Sequence, residues 1–150
     1  MIHFVKGNLF DTQCEAIVNT VNCVGVMGKG VALQCKNEYP ENYRSYRERC
    51  RKGELQPGTL LVLRDTSLRT GHQKTIVNFP TKTDWRLPSR YEYVDKGLSA
   101  LRTFLQTGKV KSIAIPPLGC GCGGLKWEIV KVEIKNFLAD LPVDIFIYEP

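Results

Sequence analysis

Apolar residues fall into short runs separated by polar segments rich in glycine and proline, and the period of each run predicts its structure. Ile2–Val5 and Ala16–Val21 have strand length, and the second ends in the polar stretch Asn22-Cys23-Val24-Gly25-Val26-Met27-Gly28-Lys29-Gly30. Val31–Asn37 reads as a helix that stops before Pro40, since proline disfavours helical backbone in the residue preceding it. Glu41–Lys52 reads as a second, strongly basic helix closed by Gly53. Thr59–Leu63 and Thr75–Phe79 are apolar, β-branched strand candidates. Pro80 to Arg90 is a proline-bounded loop carrying Lys82, Asp84, Trp85, Arg86 and Arg90. Tyr91–Gln106 is the clearest helix, because Tyr91, Val94, Leu98, Leu101 and Leu105 stand at offsets 0, 3, 7, 10 and 14 on one face. Ser112–Ile115 is a strand leading into Pro116-Pro117-Leu118-Gly119-Cys120-Gly121-Cys122-Gly123-Gly124. Trp127–Leu138 is a helix, and Val143–Tyr148 a last strand.

Strands alternating with helices predict an α/β fold, a three-layer sandwich with a mixed, mostly parallel sheet. In such sheets ligands lie outside the carboxyl ends of the strands, and both glycine-rich loops occupy that kind of strand-to-helix position. Function is therefore expected where these two loops meet.

Composition narrows the class. A chain of 150 residues is one domain of ordinary size, spanning 1–150, and buries roughly 70% of its unfolded surface. Apolar residues make up 43% and charged residues 24%, as in a folded globular chain. No apolar run approaches the ~20 residues a membrane span needs, and the start lacks a signal peptide's apolar core. The protein is expected to be soluble, cytoplasmic and monomeric. Twenty-one cations against 15 carboxylates leave +6, which favours an anionic partner such as a nucleotide or nucleic acid. The basic stretch Arg44, Arg47, Arg49, Arg51 and Lys52 reads as a solvated helix face rather than a nucleic-acid track. Six cysteines occur without a Cys-x-x-Cys spacing, and His3 and His72 are the only imidazoles. Free thiols and no metal site are expected, and a Ser-His-Asp or Cys-His centre is disfavoured.

The first loop places Gly25, Gly28 and Gly30 directly before a helix, where exposed amides and the helix N-terminus suit a phosphate. It is neither a Walker motif nor Gly-x-Gly-x-x-Gly. The second loop has four glycines in six residues, more than a connector needs. Together the loops suggest a clamp over a pyrophosphate. Lys82 is the titratable residue of most interest. If Arg86 and Arg90 lie near it in space, like charge frees its amine to act as base or nucleophile, while Asp84 acts in the opposite sense. Trp85 is either a core residue or a stacking platform for a nucleobase.

Gly7-Asn8-Leu9-Phe10, Ala16 to Asn22 and Gly28-Lys29-Gly30-Val31 resemble the macrodomain pattern, and Pro117-Leu118-Gly119-Cys120-Gly121 resembles its second phosphate loop. The match runs in order through nearly the whole chain. It implies a mixed sheet of about six strands between helices, and binding of ADP-ribose. Asn78-Phe79-Pro80-Thr81-Lys82, Trp85-Arg86 and Leu125-Lys126-Trp127 further resemble the antitoxin branch of that superfamily. Its members remove ADP-ribose from thymidine bases of single-stranded DNA and so counter a DNA ADP-ribosyltransferase toxin. The toxin would be met through a region this chain lacks.

That resemblance implies roles by position. Asn8 and Leu9 would hold the adenine. Gly28, Gly30 and Val31 would face the phosphates, and Leu118, Gly119, Cys120, Gly121, Cys122 and Gly123 would complete the clamp and border the distal ribose. Asn22 would hydrogen-bond that ribose and take part in catalysis. Lys82 would act at the anomeric carbon, by forming a Schiff base or by electrostatic positioning. Thr81, Trp85 and Arg86 would contact the DNA base. No cofactor and no metal ion is required.

Two departures stand out. Asn8 replaces the family's usual aspartate, leaving a carbonyl to accept from adenine without the charge. Gly123 replaces an aspartate of the relatives that act on ADP-ribosylated glutamate, which opens space for a nucleotide. The competing readings are a glutamate-directed glycohydrolase, a non-enzymatic ADP-ribose reader and a plain single-strand DNA-binding module.

Overall fold

The computed structural model describes residues 1–150. Six strands, β1 (Ile2–Val5), β2 (Ala16–Val21), β3 (Leu61–Thr66), β4 (Gln73–Pro80), β5 (Ser112–Ile115) and β6 (Asp144–Tyr148), form one sheet in the order β1-β6-β5-β2-β4-β3. All neighbours are parallel except β3, which runs antiparallel to β4 at the edge. Four helices cover the sheet: α1 (Gly30–Glu38), α2 (Pro40–Arg51), α3 (Tyr91–Gln106) and α4 (Trp127–Leu138).

Alternation along the strands separates two cores, because successive side chains point to opposite faces. Ala16, Val18, Val77, Phe79, Ile113, Ile115, Ile145 and Ile147 pack with Val94, Leu98, Leu101, Val130 and Ile134 of α3 and α4. Ile17, Ile76 and Ala114, one residue out of phase, pack instead with Leu9, Phe10, Cys35 and Tyr39. The expected three-layer sandwich is thus present, with its mixed, mostly parallel sheet. Gly97 lets α3 settle on β4, since a Cβ there would stand 2.2 Å from Cζ of Phe79.

Buried amides tie the second core to the sheet. Asn19 of β2 donates to Asn78 of β4 (3.0 Å), and Asn78 and Asn42 of α2 exchange hydrogen bonds of 2.8 and 3.1 Å. The asparagine register at Asn19 and Asn78 thereby orients the strand ends that lead into the functional loops.

Several boundaries differ from the sequence-based expectation: α1 and α2 by one residue at each end, β6 by one at its start, β4 by extending to Gln73–Pro80, and β3 most of all. The Thr59–Leu63 strand begins two residues later, because the Thr59 amide closes a turn on the Gln56 carbonyl (2.9 Å), and it continues to Thr66 along the exposed edge. Short 3-10 turns at Leu9–Asp11 and Gly121–Gly123 were not anticipated. No helix is long and apolar enough to cross a membrane.

Candidate active site

Three loops rise from the carboxyl ends of β2, β4 and β5 and enclose a cleft of about 800 Å³. One wall is the first glycine loop and the start of α1: Asn22, Val26, Gly28, Lys29, Gly30, Val31 and Ala32. Facing it is the second glycine loop, with Pro116, Pro117 and Gly119 to Gly123. The distal end is closed by a strap after β4 that contributes Thr81, Lys82, Trp85, Arg86 and Ser89. Pro150 lines the cleft as well, on a tail where Glu149 accepts from the Trp127 indole and Lys131, both at 3.3 Å.

Asn22 organises the first loop. Its Oδ1 accepts from the amides of Val24 (3.1 Å) and Val26 (3.3 Å) and from the Tyr46 hydroxyl (2.8 Å), while its Nδ2 donates to the Val26 carbonyl (2.7 Å). One N–H of the amide remains for a ligand. No side chain caps α1, so the amides of its first turn are open to the cleft.

The second loop is shaped by steric closeness. Gly119 has φ +73°, and a Cβ on it would meet Leu125 at 2.6 Å; a Cβ on Gly123 would meet the Ser89 hydroxyl at 2.3 Å. Ser89 donates its backbone N–H to the Gly123 carbonyl (3.0 Å), stitching this loop to the strap. On the other side the Cys23 amide donates to the Thr83 carbonyl (3.2 Å), and the Thr81 amide to Val21 (2.9 Å). The strap that carries Lys82 is therefore anchored to both glycine loops.

The charged side chains of the cleft wall are all cations, Lys29, Lys82 and Arg86, with no acidic side chain and no imidazole among the lining residues. Half-buried Lys82 donates to the Trp85 carbonyl at 3.4 Å and forms no ion pair. Both arginines that the sequence sets near Lys82 are themselves paired with acids. Arg86 grips Asp84 through two charged hydrogen bonds (2.7 and 2.9 Å), which hold the Asp84 carboxyl down to about 2, and Arg90 pairs with Glu92 at 3.5 Å. The thiols offer no alternative nucleophile at Cys23 or Cys120. Burial pushes Cys120 up, and burial, with the Cys50 thiol adding to it, pushes Cys23 up to about 11.

Most residues singled out from the sequence come together here; three do not. Leu118 is fully buried in the core beneath α3 and α4, so its side chain supports the second loop from behind. Leu9 is likewise a core residue, and Asn8 spends Oδ1 on capping the first 3-10 turn through the Phe10 amide (2.9 Å). Neither Asn8 nor Leu9 lines the cleft. Trp85 is no core residue: it is 54% exposed at the distal rim. Sequence reasoning missed Ser89, whose hydroxyl is buried without a partner, and Tyr46, which orders Asn22 from α2. A lone serine and a helical tyrosine carry no spacing signal. Only the fold brings them to the site.

Residues 18–134 match the macro domain family. The chain is a macrodomain. It is 50% identical, over all of its length, to the DNA ADP-ribosyl glycohydrolase of Thermus aquaticus, and 47% identical to that of Mycobacterium tuberculosis. The macrodomain spans about two fifths of those relatives, 41% and 42% of their lengths. Its fold superposes on the macrodomain of Thermus aquaticus DarG with a TM-score of 0.91, covering 100% of this chain and 99% of that one. The macrodomain of Mycobacterium tuberculosis DarG gives 0.93, at 45% identity, covering 100% and 98%. Thermosipho africanus DarTG in complex with ADP-ribose gives 0.91 at 34% identity, covering 99% of this macrodomain and 41% of that chain.

Proposed function

We propose that this macrodomain removes ADP-ribose from thymidine bases of single-stranded DNA and so counters a DNA ADP-ribosyltransferase toxin. The observation that carries the reading is the make-up of the cleft: two opposed glycine loops, three cationic side chains and no acidic one, with Lys82 presented at one end. Open amides at the start of α1 and along the second loop suit a pyrophosphate. Identity of 50% and 47%, over the whole of this chain, to relatives named DNA ADP-ribosyl glycohydrolases supports the choice of substrate.

In this reading residues 1–150 act as a single macrodomain, a monomer in the cytoplasm, and the toxin is met through a region beyond them. Gly28, Gly30, Val31 and Gly119 to Gly123 hold the diphosphate through their backbone. Asn22 gives its remaining N–H to the distal ribose. Thr81, Trp85 and Arg86 receive the base. With no acidic side chain or imidazole lining the cleft to take up a proton, Lys82 serves as a donor rather than a nucleophile. Water adds to the anomeric carbon, the bond to the base nitrogen breaks, and the electron pair left on that nitrogen takes a proton from Lys82. The water proton passes to solvent.

The test is a pair of substrates followed by mass spectrometry: an oligonucleotide carrying ADP-ribose on thymine, and a protein carrying it on glutamate. Release from DNA alone is the expected result. Release from protein alone moves the activity to the glutamate-directed class, and release from neither leaves a reader of ADP-ribose. Borohydride added during turnover is expected to leave no sugar attached to Lys82; a reduced adduct there would establish the covalent route instead.

A further inference from the structure

Seven of the nine arginines form ion pairs with carboxylates; Arg47 and Arg64 do not. On α2 the difference is sharp. Arg44, Arg49, Arg51 and Lys52 are matched with Glu41, Glu54 and Glu48, so most of that basic helix is the solvated face the sequence suggests. Arg47 instead lies 5.6 Å from the centre of the Tyr43 ring, and Lys36 of α1 lies 4.8 Å from the same ring. Neither cation has an acidic partner.

The position of this trio matters as much as its charge. The Arg47 Cα is 4.0 Å from where a Cβ on Gly25 would stand, so α2 backs directly onto the first loop. That loop is bonded to the strap at Thr83, so Arg47 lies behind the same loop that meets the Lys82 strap. On that loop Val24 and Val26 are 48% and 40% exposed, an unusual pair of apolar side chains on a polar loop. Two unmatched cations flanking an aromatic ring, reached across an apolar rim, suit phosphates and unstacked bases of a single strand. An acidic protein would need no apolar rim there.

We propose that Lys36, Tyr43 and Arg47 form a strand-binding surface that holds the single-stranded DNA flanking the modified nucleotide. This rests on the DNA-directed reading given above and names where the strand leaves the cleft. Phosphates contact Lys36 and Arg47, while neighbouring bases cover Val24 and Val26.

Binding of a fluorescently labelled, unmodified single-stranded oligonucleotide tests it without relying on turnover. The variant Lys36→Glu/Arg47→Glu is expected to bind about tenfold more weakly, with the slope of log affinity against log salt flatter by about 1.4, near 0.7 for each lost phosphate contact. Arg64→Glu, the other unpaired arginine, is expected to change neither. Affinity for ADP-ribose and the melting temperature stay at wild-type values in both. The double variant also releases ADP-ribose from an oligonucleotide more slowly, yet from ADP-ribosylated thymidine nucleoside at the wild-type rate. Wild-type binding by the double variant, equal loss in Arg64→Glu, or no binding by the unaltered protein would overturn the proposal. If strand binding falls as expected but no substrate is ever cleaved, the strand surface stands and the glycohydrolase reading fails.

Discussion

Across the cleft, residues 22–30 and 119–124 face each other as two glycine-rich loops on similar strand ends, yet they keep their shapes by different means. The first is held by side chains: Asn22 bonds to Val24, Val26 and Tyr46, and a Cβ on Gly28 would meet nothing closer than Val26 at an ordinary 3.6 Å. The second is held by backbone closeness, with Gly119 against Leu125 and Gly123 against Ser89. Gly28 leaves room for a ligand, whereas Gly119 and Gly123 leave room for the protein itself. The strap after β4 is bonded to both, so the group expected to do the chemistry sits between two differently built supports.

Substitution at the glycines separates these supports most strongly. Gly123→Asp is expected to cost about 3 kcal/mol, from overpacking on Ser89 and a charge introduced at a buried position. Adding Ser89→Gly should recover most of it. Gly28→Ala, by contrast, should shift stability by less than about 0.5 kcal/mol while weakening ADP-ribose. Denaturant unfolding of the three variants decides, and equal losses at both glycines would erase the distinction.

Side-chain control of the first loop predicts a graded pair. Asn22→Ala removes the clasp and is expected to cost about 2 kcal/mol, because buried groups lose their partners. Tyr46→Phe removes one hydroxyl and should cost about 1 kcal/mol. Both should loosen the first loop only, which amide exchange at residues 22–30 and 119–124 would report.

A control far from both loops lies between α3 and α4. Burial, with Asp95 opposite, raises the Glu133 carboxyl to about 7. A folded value above the unfolded 4.5 means that its contribution is fully present below pH 4.5 and is lost as pH rises through 7. Glu133→Gln should flatten that decline in unfolding experiments from pH 4.5 to 8 and leave ADP-ribose affinity untouched.

How far the sequence reaches follows from the same contrast. The period-3.6 pattern gives α3 to the residue, since that helix buries one continuous face, and β1, β2, β5 and α4 also lie where their apolar runs put them. The glycine loops were legible because glycine announces a backbone need. What that need was stayed hidden: nothing around Gly123 in sequence indicates that Ser89, 34 positions earlier, fills its Cβ space. Leu118 was placed in the clamp because it sits among clamp residues, although an isolated leucine there belongs to the core. The ion pairs of Arg86 with Asp84 and of Arg90 with Glu92 are hidden for a related reason, since adjacency in sequence does not disclose which charges meet.

The central claim is that the loops bind while Lys82 performs the chemistry, and Lys82→Ala examined by two readouts tests it most directly. Calorimetric titration with ADP-ribose is predicted to give an affinity within about threefold of wild type, less than 1 kcal/mol. Release of ADP-ribose from the modified oligonucleotide is predicted to fall at least about a hundredfold, in the range expected for losing a proton donor. Turnover that survives the substitution, or affinity lost together with turnover, would contradict that division of labour.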